Sequence, residues 1–196
     1  MEPAIFVLGG TLWINLLNTV CMHNKLPADL LSHPATALPW LEANGLVPAG
    51  DAPLSEETWS QLSTELVSLR NLFEEALYEL GQHGPLSDRL FDSIARRTDA
   101  LSVRVKLTRT ETGAALAYEG KTVVDDVLYR ILRSFTDTLE LGSIDRIRKC
   151  EHEECILRFI DTSKSGKRRW CSMELCGNRH KAAEFYAKKK LSKAIR

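Results

Sequence analysis

Two Cys-x4-Cys pairs, Cys150/Cys155 and Cys171/Cys176, stand fifteen residues apart and constrain this chain more than any other feature. Four of the five cysteines fall within 27 residues, which argues against scattered buried thiols and for one metal ion held by four thiolates. A spacing of four lets each pair close a tight knuckle around the same ion. Zinc takes thiolate readily and has no redox chemistry of its own, so a closed four-sulfur site is structural. One structural zinc ion is therefore predicted on Cys150, Cys155, Cys171 and Cys176. His152 and His180 stand beside ligands and could compete, but both cysteine spacings are complete without them. Cys21 stands outside this set and reads as a small core residue.

The formal net charge is zero, and it conceals a division. Residues 1–143 carry 11 Lys+Arg against 19 Asp+Glu, whereas residues 144–196 carry 15 against 7. An acidic body joined to a basic end suggests a polyanionic partner for that end; the alternative is a basic helix that faces solvent or docks on the body. An apolar fraction of 44% and a charged fraction of 27% are those of a soluble globular protein, and no apolar run is long enough to span a membrane. The opening Met1-Glu2-Pro3 lacks the basic lead of a secretory signal. A cytoplasmic location is expected, where reduced thiols suit zinc.

Hydrophobic periodicity predicts an α+β chain: a mostly helical N-terminal domain with a β-hairpin over residues 1–143, then a zinc module over 144–196. Ile5 to Leu8 reads as a strand or turn ending at Gly9-Gly10. Thr11 can cap a helix running through Leu12, Trp13, Leu16, Leu17 and Val20. Pro27 to Leu31 and Pro34 to Asn44 read as short helices, the second closed by Gly45. Ser55 starts a long helix whose stripe of Trp59, Leu62, Leu66, Leu69, Phe73, Leu77 and Leu80 is core. Ser87 opens a further helix. Leu101, Val103, Val105 and Leu107 then alternate with polar residues, the pattern of a strand with one buried face, and Glu111-Thr112-Gly113 turns it into a hairpin. Thr122 caps a long helix ending at Gly142.

Catalytic constellations are absent from this domain: His23, His33 and His83 have no thiol or acid partner forming a dyad, and no Gly-rich phosphate loop occurs. An enzyme is not expected. The candidate ligand pocket is Asn15 and Asn18, three apart on one helical turn, with Arg70 reaching toward it. Such amides more often satisfy buried backbone groups, and Arg70 is the more readily explained as an exposed charge.

In the zinc module, Ile156 to Asp161 and Lys167 to Trp170 are expected to pair as a hairpin, followed by a helix from about Met173 to Lys190. Knuckle, hairpin and helix make a treble-clef-like plan, with Trp170 as its core residue. Lys167, Arg168, Arg169, Asn178, Arg179, Lys181, Lys188 and Lys189 are the candidate nucleic-acid contacts, the lysines for phosphates and Asn178 and Arg179 for base edges. Asn178 and Arg179 could instead brace the knuckle through sulfur or backbone. Phe159, Trp170, Phe185 and Tyr186 are the aromatics available for stacking a single strand.

Three runs carry a resemblance: Phe159-Ile160-Asp161-Thr162-Ser163, Arg168-Arg169-Trp170-Cys171-Ser172-Met173, and Cys176-Gly177-Asn178-Arg179-His180-Lys181. They resemble the CGNR zinc-finger proteins, over about a quarter of the chain. Gly9 to Thr19 is similar to the opening of the ABATE domains that precede this finger. The resemblance implies a bacterial transcription regulator, with double-stranded DNA as partner. It also implies an N-terminal α/β domain that senses a small molecule or forms a homodimer.

Overall fold

The computed structural model describes residues 3–47, 54–82 and 84–194, with side chains described for 5–47, 54–82 and 84–190. His83 and most of the loop expected before Leu54 lie outside the described residues.

Two long helices, α3 (Glu56–Gly81) and α5 (Val123–Glu140), carry the body of the protein. Each begins where the sequence places its cap. Ser55 Oγ accepts the Thr58 N–H at 3.2 Å, and Thr122 Oγ1 accepts the Asp125 N–H at 3.1 Å. Acidic residues in both first turns suit the positive end of the helix dipole. Their buried stripes close on a short helix, α1 (Leu12–Leu17). Trp13 of α1 meets Phe73 and Phe135 edge-on at 5.7 and 5.2 Å, while those two rings stack at 4.7 Å. The indole N–H donates to Thr138 Oγ1 at 2.8 Å, so this buried tryptophan is also polar-satisfied.

Near the N-terminus Pro3–Val7 form a 3-10 turn, one of the two forms expected there, while other expectations change. Helix α1 stops at Leu17, because the Thr19 N–H and hydroxyl both return to the Leu16 carbonyl, at 3.1 and 2.6 Å. Val20 instead opens β1 (Val20–His23), antiparallel to β2 (Leu26–Asp29), so Pro27 lies in a strand and not a helix. The turn between them places Asn24 and Lys25 at φ 50° and 66°, the left-handed geometry of a tight hairpin. After a 3-10 turn, α2 (Pro34–Ala43) follows, with His33 Nδ1 accepting the Ala35 N–H at its start.

Helix α4 (Asp88–Asp99) leads to β3 (Val103–Thr110) and β4 (Gly113–Gly120), paired in full antiparallel register. The hairpin is where predicted, but its apolar face is not buried. Leu107 and Leu116, directly opposite one another, are 70% and 64% exposed, and Val105 and Tyr118 are exposed as well. Alternation records which side chains share a face; it does not supply an element to cover that face. Only the root of the hairpin is held, with the Gly120 N–H on Asp126 Oδ1 at 2.9 Å and Tyr118 near Tyr129 of α5.

The zinc module keeps the treble-clef-like order with a different strand pair. β5 (Ile147–Lys149) pairs with β6 (Arg158–Ile160), so the first knuckle is itself the hairpin connection. Lys167 to Trp170 is not a strand. It is tethered by Asp161, whose carboxylate accepts the Arg168 N–H at 2.8 Å and the Ser163 N–H at 2.9 Å. A π-type turn, Met173–Gly177, precedes α6 (Asn178–Ala194), which therefore starts later than expected.

β6 is also sewn to the body. Asn18 Nδ2 donates to the Arg158 carbonyl and Asn18 Oδ1 accepts the Arg158 N–H, both at 2.8 Å, so one amide side chain mimics a neighbouring strand. The Ile160 N–H reaches the Gly9 carbonyl at 3.0 Å, and Arg158 pairs with Glu74 of α3 at 2.7 Å. Gly9 lies between α1 and this strand: its N–H donates to Asn15 Oδ1 at 2.8 Å, and a Cβ there would meet that oxygen at 2.6 Å. Gly9→Ala should therefore destabilise the fold by about 1–3 kcal/mol through overpacking. Denaturant unfolding of the variant checks this; a midpoint equal to that of the parent protein would show that the contact relaxes freely. No helix among the described residues is long and apolar enough to cross a membrane.

Candidate metal centre and basic helix

The first knuckle begins as β5 ends. The Cys150 N–H bonds to the Leu157 carbonyl at 2.9 Å and the Cys155 N–H turns back to the His152 carbonyl at 2.9 Å. At the second, the Cys176 and Gly177 N–H groups both return to the Ser172 carbonyl, and Ser172 Oγ accepts the Leu175 N–H at 3.2 Å. The two turns bring the sulfurs of Cys150, Cys155, Cys171 and Cys176 within 4.8 Å of one another, and all four residues are buried. Cys155 and Cys171 sulfurs are 3.8 Å apart, and those of Cys171 and Cys176 are 3.6 Å apart. A tetrahedron with metal–sulfur bonds of about 2.3 Å has an edge of about 3.8 Å, so the set is sized for zinc.

Electrostatics point the same way. Thiol donation from Cys155 and Cys171 pushes the Cys150 thiol far down, and the same contacts push Cys155 and Cys171 up. Without a cation the quartet must share protons, because four clustered thiolates repel; a dication takes the place of those protons. The centre thus holds one structural zinc ion. Donors steady its sulfurs: the Cys171 N–H reaches Cys150 Sγ at 3.4 Å, Arg179 Nη2 reaches Cys176 Sγ at 3.3 Å, and the Leu157 N–H serves Cys155. Neither imidazole joins the cluster. His152 Nδ1 accepts the Glu154 N–H, and His180 stacks on Trp170 at 4.7 Å.

The candidate nucleic-acid contacts separate into two groups. Arg168 is turned inward: its guanidinium donates to the carbonyls of Trp170 and Cys171 and lies over Phe159 at 4.6 Å. Arg179 is likewise engaged, with Nε on the Leu175 carbonyl at 3.0 Å besides its sulfur contact. Arg169 pairs with Glu151 at 2.5 Å and lies over Trp170, so an acid of the first knuckle fixes a base of the second. Lys167, Asn178, Lys181, Lys188 and Lys189 are exposed. Phe159, and not the half-buried Trp170, is the fully buried aromatic of this module.

The N-terminal candidates are not brought to one pocket. Asn15 and Asn18 are buried; Asn15 spends its amide on Gly9 and on Asn44 Oδ1 at 2.7 Å, and Asn18 on Arg158. Arg70, expected at the surface, is buried: it donates to Thr19 Oγ1 at 2.7 Å and forks onto Asp29 at 2.8 and 2.6 Å. Sequence reasoning missed Asp29 and Asp161. Each carboxylate accepts an N–H two residues ahead, a local habit of aspartate that was readable but did not reveal the long-range partner.

Residues 10–140 match the ABATE family model, whose description is "Putative stress-induced transcription regulator". Residues 146–189 match the CGNR zinc finger model. No curated protein matches the chain.

Proposed function

The chain belongs to the ABATE family, with a CGNR zinc finger after the ABATE region, and from that premise we propose that it is a cytoplasmic regulator that binds duplex DNA through α6. One observation carries the reading: every residue from 181 to 190 is exposed, so beyond its first turn α6 presents its described residues to solvent. A charged helix exposed along this length is suited to a groove. Lys181, Lys188 and Lys189 supply phosphate contacts, which are blind to sequence, while Asn178 at the first turn has the amide that reads an adenine edge. Lys167 and Arg169 are further exposed cations of the module. Arg168 and Arg179 act indirectly, by holding the finger in shape.

Binding of the zinc-loaded protein to random duplex DNA across a salt series tests this. Six phosphate contacts give a log–log slope of about −5, and a Lys181/Lys188/Lys189→Ala variant should be shallower by about 2–3. Absence of binding at low salt would move the finger to a structural or protein-docking role. A second reading has its own support. Phe185 and Tyr186 are 62% and 66% exposed on the same helix, enough to stack bases of a single strand. Duplex DNA failing to displace a labelled single strand would favour that reading.

The N-terminal domain fits a sensing or dimerising role rather than an enzymatic one. A cleft of about 600 Å3 between α3, α4 and α5 offers a floor of Leu69, Leu72 and Leu128 with Asn71 and Arg96 at its sides, a suitable place for a small effector. The uncovered face of β3–β4 is the surface on which a second copy would pack.

A further inference from the structure

The metal centre is not closed on every side. A cavity of about 260 Å3 lies between the β1–β2 hairpin and the zinc ligands, and Cys21, Met22, Cys155, Cys171 and Cys176 all contribute to its wall. Lys25, held at a left-handed φ in the hairpin turn, pairs across the same cavity with Glu154 at 3.5 Å.

The four sulfurs differ in what restrains them. Cys150 Sγ accepts the Cys171 N–H, and Cys176 Sγ accepts from Arg179. The Leu157 N–H is a donor to the Cys155 sulfur, and among the described residues no N–H donor reaches the sulfur of Cys171. A donated hydrogen bond draws charge from a thiolate and lowers its nucleophilicity, so Cys171 is the best attacking sulfur once it is reached, while access decides which sulfur an oxidant meets first. Access favours Cys155: it lines the cavity and, at 8%, is the most exposed of the four, whereas Cys171 is fully buried.

We propose that Cys155 is an oxidant-sensing ligand, attacked through this cavity by a hydroperoxide and resolved by Cys171. The Cys155 thiolate attacks one oxygen of hydrogen peroxide; the S–O bond forms, the O–O bond breaks and hydroxide leaves. The resulting sulfenic acid is 3.8 Å from the Cys171 sulfur before any relaxation. Cys171 thiolate attacks the Cys155 sulfur, forming S–S, breaking S–O and releasing a second hydroxide. Two thiolates give up two electrons to the peroxide, and solvent protons neutralise both hydroxides. The sulfurs must close to about 2.05 Å, a distance incompatible with both remaining on one tetrahedral ion. Because the disulfide takes one ligand from each knuckle, neither knuckle keeps its pair. Loss of those ligands frees the ion, and with it the main stabilisation of the finger.

The test uses the zinc-loaded full chain with limiting hydrogen peroxide, a chromophoric zinc chelator, and dimedone to trap sulfenic acid. Mass mapping should find the first dimedone adduct on Cys155. Without the trap, one Cys155–Cys171 disulfide should appear for each ion released. A first adduct on Cys150, Cys176 or Cys21, a disulfide within one knuckle, or oxidation that leaves the ion bound would each overturn the assignment. A Met22→Phe variant, which narrows the cavity without touching a ligand, should release zinc about fivefold more slowly at unchanged zinc stoichiometry, since access governs thiolate oxidation. An unchanged rate would overturn the route. These readouts are independent of what α6 binds, so failure of the DNA reading leaves the proposal standing or falling on its own.

Discussion

Cys171→Ser is expected to abolish zinc binding and unfold the module from the first knuckle into α6, while the helical body remains folded at reduced stability. A serine hydroxyl does not ionise to serve as a ligand, and Cys171 is fully buried between both knuckles, with its own N–H on Cys150 Sγ. Coordination of this kind contributes about 10–16 kcal/mol in comparable modules, far more than the burial of Leu157 and Phe159 replaces. The body should survive because Trp13, Phe73 and Phe135 make their contacts without the finger. It should not survive unchanged, because the Asn18–Arg158 pair, the Ile160–Gly9 bond and the Arg158–Glu74 ion pair all depend on β6 staying in place. Metal analysis should therefore show almost no zinc, and circular dichroism should retain the signal of α3 and α5. The remaining transition should fall by about 5 °C or more, the shift of one to two kcal/mol in a domain of this size. Intact zinc stoichiometry would refute the ligand assignment. An unshifted transition would show that β6 merely touches the body.

That coupling matters to any regulator built this way. The element joining finger to body is not a linker but a strand, fastened to α1 and α3 at three points. A change in α1 or α3 is felt at Arg158, three residues after Cys155. On the sensing role proposed above, an effector that shifts the body would act on the metal centre through these contacts, and loss of the metal would act on the body through the same ones.

Local chemistry explains what the sequence made legible. The caps Ser55 and Thr122, the stripes of α3 and α5, and the register-setting alternation of β3 are statements about neighbours in the chain, and each element appears where those neighbours place it. Equal cysteine spacing made the metal set readable for the same reason. Partners distant in sequence were not readable. Nothing around Asn18 says that its amide will substitute for a strand beside Arg158, and nothing around Arg70 says that Asp29 awaits it. Strand choice failed likewise: Lys167 to Trp170 has the composition of a strand, but Asp161 takes the Arg168 N–H and β5 takes β6 instead. The α1 helix was overextended because its apolar spacing continues through Val20, whereas Thr19 redirects the backbone.

Asp29→Ala is expected to cost about 2–4 kcal/mol at neutral pH. Its partner Arg70 is buried on α3 and has only Thr19 Oγ1 besides this carboxylate among its hydrogen bonds, so removing the acid strands a buried charge. The upper end is discounted because Asp29 itself is about a third exposed and water screens the pair. Asp29 also accepts the Leu31 N–H at 3.0 Å, so the variant loses the cap of the following turn. Burial alone would raise the Asp29 carboxyl, but the Arg70 hydrogen bonds, the Leu31 N–H and the Arg70 charge outweigh it and hold the group below its ordinary range. A lowered carboxylate contributes stability that is present above its unfolded value of about 3.9 and is lost as the pH falls through the folded one. The gap between parent and variant should accordingly be widest at neutral pH and narrow in acid, with zinc loss common to both proteins cancelling in the difference. Replacing both partners, Arg70→Met with Asp29→Leu, should recover much of the loss, because an apolar pair leaves no charge unpaired. Urea unfolding of the parent, Asp29→Ala, the Arg70→Met and Asp29→Leu singles and their double variant measures all of this. A double variant as unstable as the sum of the singles would mean that Arg70 and Asp29 stabilise the body separately and that their fork is incidental.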